Sequence, residues 1–503
     1  MKNRILKLLI LSFCTTLFFA ACKKPLETAP KNNIDLAISD PFQTRDGLQA
    51  LLFSIYDALQ SSAYYGRDFV VIPELLADNA EITSNNSNRF INQANNAPNN
   101  HVGIWAANYR NINRANLLLQ FIDASTASAS EKTAWKGEAY FLRALLYFDL
   151  IRSYARNPQY LNTSPDGTFD LGVPIIKTGV LNQSAITFPA RDKIAEVYDF
   201  IMQDLVQANN LLTNTQNGGT ASRARKVAAQ ALASRVQLYR GNWAESERWS
   251  DSVLLQGVAK FADASTYFNT NGTPPSWGNG HIESIFTITF VTAEPNAGSD
   301  ALQYIYYRNL SVTPSIQGYA DVTARPQLLT AFATTGSGTA TTSADLRFQK
   351  LISIQVKSGQ TVFYTLKWPG TKSPGNPGFD DIMVLRTSEI ILNRSEARAR
   401  QGKEALAIGD LNQTRTRAGY AAFPTSGAGT PTGAGLIAEI LKERRLELAF
   451  EGHRLYDLLR TGSDVLKSPA NILLGSSAYN FLYANVLQAD LDVNPNLIKN
   501  PGY

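Results

Sequence analysis

The stretch ALASRVQLYRGNWAESERWSDSVL, residues 231–254, reads as two helices meeting at Gly241, with Ser234 seven residues before the glycine and Ser246 five after it. The same spacing returns in ILNRSEARARQGKEALAIGDLNQTR, residues 391–415. There Gly402 sits at the turn, Ser395 seven residues before it and Ala407 five after. Small residues at these offsets have a steric reason. Two helices joined by a short turn cross where those side chains lie, and large ones would hold the backbones apart.

Tetratricopeptide units place small residues at these offsets, so the two segments predict a repeat scaffold of stacked helical hairpins. Apolar periodicity predicts further helices. Asp46 can cap a helix over 47–60, with Leu48, Leu51, Leu52, Ile55 and Leu59 on one face. Helices are also expected over 104–123, 134–154, 191–212 and 226–239, and again over 382–401, 405–418 and 436–460. Between these blocks the chain changes character. Residues 282–291 alternate and are β-branched, and 351–356 and 361–368 flank a Lys-Ser-Gly-Gln turn as a hairpin would. The low-complexity run TTGSGTATTSA, 334–344, reads as a mobile loop. The expected fold is mainly α, a tetratricopeptide-like helical repeat scaffold with a smaller loop-rich region containing short β-hairpins.

The first residues carry an export signal. Lys2, Arg4 and Lys7 precede an apolar run over 8–21 that is too short to cross a bilayer, and Ala20 and Ala21 lead directly into Cys22. This predicts a lipoprotein leader over 1–21, cleavage before Cys22 and acylation of that cysteine, although Phe19 stands where leucine is usual. Cys14 departs with the leader, which leaves Cys22 alone and excludes a disulfide. Losing the leader also lowers the net charge from +5 to about +2. No basic footprint for nucleic acid remains. Residues 22–40 read as a tether, and 503 residues exceed what one core usually serves.

The densest charge cluster is KERRLELAFEGHRLYDLLRTG, 442–462. A catalytic reading would employ Glu447, Glu451, His453 and Asp457. On a helix, however, Leu441, Leu448 and Leu455 form a stripe and the charges fall one turn apart, which describes a face tied to its neighbours by ion pairs. His101, His281 and His453 have no partner at metal-ligand spacing, and no phosphate-binding glycine loop or nucleophile elbow occurs, so no metal, cofactor or catalytic residue is assigned. Ligand binding has better candidates. NNSNRFINQANNAPNN, 85–100, holds eight Asn around Arg89 and Phe90, and amides that donate and accept suit sugar hydroxyls or peptide backbone. Composition supplies 24 Phe, 21 Tyr and 6 Trp for stacking. The residues proposed for ligand contact are Asn88, Arg89, Phe90, Trp105, Trp277, Tyr304, Tyr306 and Trp368. Trp135, Trp243 and Trp249, inside helices, are assigned to the core.

Several segments in order resemble the SusD/RagB family of outer-membrane nutrient-binding lipoproteins. They are the leader with its cysteine, IWAANYRNINRANLLLQFID, GEAYFLRALLYFDLIRSYA, GVPII at 172–176, the repeat at 231–254, FYTLKWPG, VLRTSEIILNRSEARARQG with DLNQTRTRAG, the 442–462 cluster and the ending NPNLIKNPGY. The resemblance spans nearly all the chain after the leader and is thinnest across 255–350. It implies an N-terminal helical region over 41–254, a variable ligand-binding region over 255–380 and a C-terminal helical region over 381–503. It further implies a lipid-anchored outer-membrane protein, facing outward, that captures an oligosaccharide or a peptide as a hinged lid on a SusC-like TonB-dependent transporter barrel. Lys23 and Lys24 depart from the acidic residues that often follow the cysteine in surface-exported members. Two other readings stay open, a peptide-binding member of the same family and a tetratricopeptide envelope scaffold without a small ligand.

Overall fold

Gly241 adopts φ +74° and Gly402 φ +74°, the left-handed turns that end a helix and let the chain double back. Each lies between two helices of the computed structural model, which describes residues 40–99, 101–163, 169–268, 280–291, 300–309, 311, 315–368, 370, 379–467 and 470–503. The leader, Cys22, the tether up to residue 39 and Trp277 lie outside the described residues.

Among the described residues the longer helices are α1 (Arg45–Leu59), α2 (Asp68–Leu76), α3 (Trp105–Phe121), α4 (Ala129–Tyr154), α5 (Ile194–Leu211), α6 (Lys226–Arg240), α7 (Trp243–Leu254), α8 (Thr387–Arg400), α9 (Glu404–Arg417), α10 (Gly433–Glu447) and α11 (Arg454–Thr461). They stack in sequence, α3 on α4, α4 on α5, α5 on α6 and α6 on α7. Helix α7 then packs on α8, so the array resumes after the chain between Leu254 and Thr387 has made its excursion. The small residues meet where expected. Ser246 Oγ donates to the Ser234 carbonyl oxygen at 3.0 Å, and Ser395 Oγ to that of Ala407 at 2.8 Å. Asn393 of α8 reaches Ser234 Oγ of α6 at 3.3 Å, and across the α7–α8 junction Arg394 pairs with Asp251 at 2.8 Å.

Helix α4 shows how packing holds the array, and no cysteine occurs among the described residues. Ser128 and Glu131 form a capping box at its start. From Phe141 to Tyr154 every residue is buried, so the helix is covered on all sides by its neighbours. One apolar cluster runs from Phe42 in front of α1 to Val486 near the C-terminus.

The excursion forms short antiparallel ribbons, one of them with a strand from the N-terminal part. Strand β1 (Ala80–Ile82) pairs with β3 (Val322–Ala324), β2 (Ser284–Ile288) with β6 (Ile382–Arg386), and β4 (Ile352–Lys357) with β5 (Gln360–Thr365). The last is the expected hairpin, closed by Ser358 at φ +50° and Gly359 at φ +78°.

Four local expectations change. Thr44, not Asp46, caps α1, its hydroxyl accepting from the Gly47 N–H at 3.1 Å. The run expected as a helix from 382 begins as strand β6, because Ile382–Arg386 is fully buried against β2 and turns helical only at Thr387. The run expected as one helix over 436–460 is two. Phe450 at φ +66° and Gly452 at φ +78° break it, and a Cβ on Gly452 would lie 2.6 Å from the Phe69 carbonyl oxygen. Buried Glu74 of α2 accepts the N–H groups of Gly452 at 3.0 Å and His453 at 3.2 Å, and so starts α11 in place of a continuing helix. The 334–344 run is held by a bridge in which the N–H groups of Thr335 and Thr342 donate to each other's carbonyl oxygens at 2.8 and 2.9 Å.

Apart from exposed Lys442, the charged side chains of 442–462 are buried or half-buried, and most of them pair with other elements. Glu447 Oε1 accepts from Arg417 at 2.6 Å, Tyr267 at 2.7 Å and Arg386 at 2.8 Å. Burial alone would raise the Glu447 pKa, but Arg417, Arg386, Arg347 and Lys367 together hold it well below the usual carboxylate value. Asp457 takes Arg444 and Arg460, and Glu396 takes Arg460 at 2.7 Å. His453 is kept neutral by burial and by Arg235 and Arg444 nearby, which push it well below 6.5.

Two outcomes follow for stability. Glu447→Gln removes one buried negative charge facing Arg386, Arg417 and Arg347, which keep Glu283, Glu451, Asp345 and Glu443 as partners, and should cost about 3 kcal/mol in urea unfolding. Glu245→Gln, which loses only an exposed pair with Arg248, should stay within about 0.5 kcal/mol. Equal effects would show that the buried network does not depend on the Glu447 charge. For pH, the folded values of Glu447, Glu283, Glu389, Glu396 and Asp457 are depressed, so their stabilisation is present above about 4.5 and lost as pH falls through the folded values. His101 (down to about 4), His281 and His453 are also depressed, so the unfolded chain takes up protons first below 6.5. The urea midpoint should therefore decline from pH 6.5 and steepen below 4.5.

Candidate ligand-binding site

The asparagine-rich stretch leaves β1 and is held by the segment that enters β3. Thr83 N–H donates to the Asp321 carbonyl oxygen at 2.8 Å, and the Asp321 carboxylate accepts from Ser87 N–H at 2.9 Å and from the Ser87 hydroxyl. Asn86 Oδ1 accepts the Asn88 N–H at 2.7 Å, and Asn88 (φ +63°) and Phe90 (φ +61°) take left-handed conformations that turn the loop. Asn tolerates that region, whereas a bulky Phe there is strained and persists only because its surroundings hold it.

Arg89 is carried outward by this loop. Its guanidinium donates to Ser87 Oγ at 2.8 Å and lies 4.4 Å from the centroid of the Tyr319 ring. Tyr319 is 37% exposed and its ring stands 5.9 Å from that of half-buried Tyr304. Its backbone is tied to Tyr304, whose carbonyl oxygen accepts from Tyr319 N–H at 2.8 Å. Gly318 permits the approach, since a Cβ there would meet the Tyr307 carbonyl oxygen at 2.3 Å. On the other flank, Arg67 lies 5.7 Å from the Phe90 ring and pairs with Asp300 at 2.6 Å, and Arg89 approaches the same carboxylate at 3.5 Å.

Beside this group lies a cleft of about 620 Å³, walled by Asn85, Arg308, Asn309, Gln355, Lys357 and Tyr364 among others. That volume falls within the range of small-molecule sites. Asn85 Nδ2 donates to Ser358 Oγ at 3.2 Å, joining the loop to the β4–β5 turn, and Lys357 Nζ donates to the carbonyl oxygens of Tyr319 at 2.8 Å and Ala320 at 3.0 Å.

Of the residues expected to contact ligand, the structure brings Asn88, Arg89, Phe90 and Tyr304 into one surface. Three others need correction. Trp105 is 5% exposed, packed edge-on against Tyr109 and Tyr154 at 5.1 and 5.0 Å. Tyr306 is fully buried and Trp368 is 4% exposed, and their rings stack at 5.7 Å with Phe450 against Tyr306. These three are core residues and present no face to solvent. Trp135 and Trp249 are buried as assigned, while Trp243 is half-buried under Arg400. Sequence reading missed Tyr319, Arg67, Arg308 and Lys357. The available signal was the Gly318–Tyr319 pair, a small residue beside an aromatic in a loop.

No group of three or more His, Cys, Asp or Glu side chains able to hold a metal occurs among the described residues, and none of their helices is long and apolar enough to cross a membrane.

Residues 26–238 match a family described as starch-binding and associating with the outer membrane, and residues 349–503 match the SusD family. The chain belongs to the SusD/RagB family. Two SusD-like proteins of Formosa agariphila are each 25% identical to it, over 488 and 467 residues that cover 88% and 86% of this chain and 89% and 86% of theirs. Among solved structures, a putative sugar binding protein of Bacteroides vulgatus superposes with TM-score 0.73 at 24% identity, over 91% of this chain and 98% of that one. A laminarin binding SusD-like protein superposes with TM-score 0.70 at 21% identity, over 92% of this chain and all of the other. These likenesses show the shared fold, mainly helical with small sheets. The segment between the two family matches includes Tyr304, Arg308 and Tyr319.

Asp321→Ala removes the acceptor for two Ser87 donors, so loosening the loop should cost about 1–3 kcal/mol. Limited proteolysis read by mass spectrometry should show new cuts within 84–99. An unchanged digestion pattern would mean that Asp321 does not hold the loop.

Proposed function

We propose that this chain is a lipid-anchored outer-membrane protein that binds an oligomeric nutrient, a glycan, at the Arg89–Tyr319–Tyr304 surface and passes it to a TonB-dependent transporter barrel. The observation that carries the reading is the exposed Tyr319 ring, backed by Tyr304 and Arg89 and set beside a polar cleft. A flat ring stacks on the apolar face of a sugar, and Asn85, Asn88, Asn309 and Gln355 supply paired donors and acceptors for hydroxyl groups. No bond needs to break for this function. The carboxylates of the 442–462 cluster are bound to arginines in the interior, which supports a binding protein over an enzyme. The glycan reading is further supported by the starch-binding description of the matched family and by the laminarin binding and putative sugar binding proteins that share the fold. The anchor at Cys22, the outward orientation and the transporter partner rest on the family and on the leader sequence.

Tyr319→Ala should weaken glycan binding by about 2 kcal/mol, roughly thirtyfold, in calorimetry against a panel of neutral and charged oligosaccharides. Trp105→Phe, a change in the core, should leave affinity unaltered in the folded protein. Binding of peptides in place of every glycan would favour the peptide-binding reading. Retention of full affinity by the Tyr319 variant would remove this surface as the site. Cys22→Ser should move the protein out of the outer-membrane fraction, and unchanged fractionation would contradict the anchor.

A further inference from the structure

The cleft beside Tyr319 has a charge pattern that a neutral sugar does not need. Two of its walls carry cations, Arg308 and Lys357, and no Asp or Glu among the described residues lines it. Half-buried Arg308 has no hydrogen bond or ion pair from its guanidinium among the described residues, although many other arginines of this chain are paired within 3.5 Å of a carboxylate. Lys357 is satisfied only by neutral oxygens, those of Thr83, Tyr319 and Ala320. Burial pulls it below the usual lysine value; Asp321 partly opposes this and Arg308 adds to it. Asp321 is the nearby acid, but its carboxylate is already taken by Ser87.

Register in the β4–β5 hairpin sets these groups on one face. Ser353 is paired with Tyr364, Gln355 with Val362 and Lys357 with Gln360, so the side chains of both strands at these positions point the same way. Tyr364 is 1% exposed, and its hydroxyl has no hydrogen-bond partner among the described residues. A buried hydroxyl without a partner, next to an unpaired guanidinium, is an unfilled requirement for an acceptor. A hydroxyl group of a neutral sugar can satisfy the tyrosine, but only an anion compensates Arg308 and Lys357 as well.

We infer that the Arg308–Lys357–Tyr364 cleft takes an anionic substituent, a carboxylate or a sulfate ester, of a glycan whose neighbouring ring stacks on Tyr319. This rests on the glycan-binding reading above and narrows it to acidic glycans. The two subsites are continuous, because Lys357 holds the backbone of Tyr319 from within the cleft.

The test uses the acylation-free chain from residue 23 and two matched pairs of probes, polygalacturonate with its methyl ester and dextran sulfate with dextran. Calorimetry should show at least one acidic probe bound on the order of tenfold more tightly than its neutral partner, with affinity falling as salt rises. The pair that shows the preference tells carboxylate from sulfate. Arg308→Gln should abolish the preference, Arg308→Lys should restore part of it, and both should melt as the parent does. Tyr319→Ala should weaken both members of a pair. Neutral probes bound as tightly as acidic ones, in a Tyr319-dependent way, would overturn the anionic subsite and leave the glycan reading standing. A preference that survives Arg308→Gln would also overturn it. Failure of all four probes to bind would overturn both readings.

Discussion

The carboxylate of Glu447 is the point on which the molecule's two parts are joined. It sits at the end of α10 with no exposure to solvent and accepts from Arg417 of α9, Arg386 of β6 and Tyr267, while Arg347 approaches at 3.4 Å. Its backbone carbonyl oxygen takes Lys367 and Arg386 as well. Some of these partners belong to the helical array and some to the excursion that interrupts it. Isolating such a charge from water without these partners would be prohibitive, and the guanidinium groups share the task of neutralising it with Glu283, Glu451, Asp345 and Glu443 as their further partners. Each side therefore requires the other in one position. That mutual requirement is a geometric constraint more than a gain in stability, since an apolar replacement of the whole network could be as stable.

The binding surface depends on that constraint. Its residues come from the loop after β1, the segment around Tyr304–Tyr319 and the β4–β5 hairpin, none of which has a large core of its own. Small apolar clusters such as Tyr307, Ala320, Val362 and Tyr364 hold the excursion together locally. The β2–β6 ribbon and the arginine network fix it to the array. A rigid helical scaffold with recognition chemistry placed on the loops it carries is a common division of labour.

Sequence reading reached the array because its signals are local. Gly241 and Gly402 with Ser234, Ser246, Ser395 and Ala407 are fixed offsets, and the hairpin at 352–365 is announced by its turn. The break at Phe450–Gly452 was hidden because its cause, the Glu74 carboxylate capping α11, lies far away in the chain. The site was legible where composition was unusual, in the asparagine run with Arg89 and Phe90. It was misread where aromatics were taken as exposed because they sit in loop-rich sequence. Trp368 and Tyr306 stack on each other in the core, and only tertiary packing decides which ring of such a set faces water. Tyr319 and Arg308 carry no periodic signal at all.

The central claim is that ligand meets this chain at Tyr319 and Arg89. A crystal structure of the protein with a bound oligosaccharide tests it most directly. The account predicts a sugar ring against Tyr319, with polar contacts from Arg89 and the walls of the adjoining cleft. A sugar ordered elsewhere, for instance in the cleft of about 570 Å³ between Asp78, Arg454 and Asp464, with the Tyr319 surface empty, would contradict it.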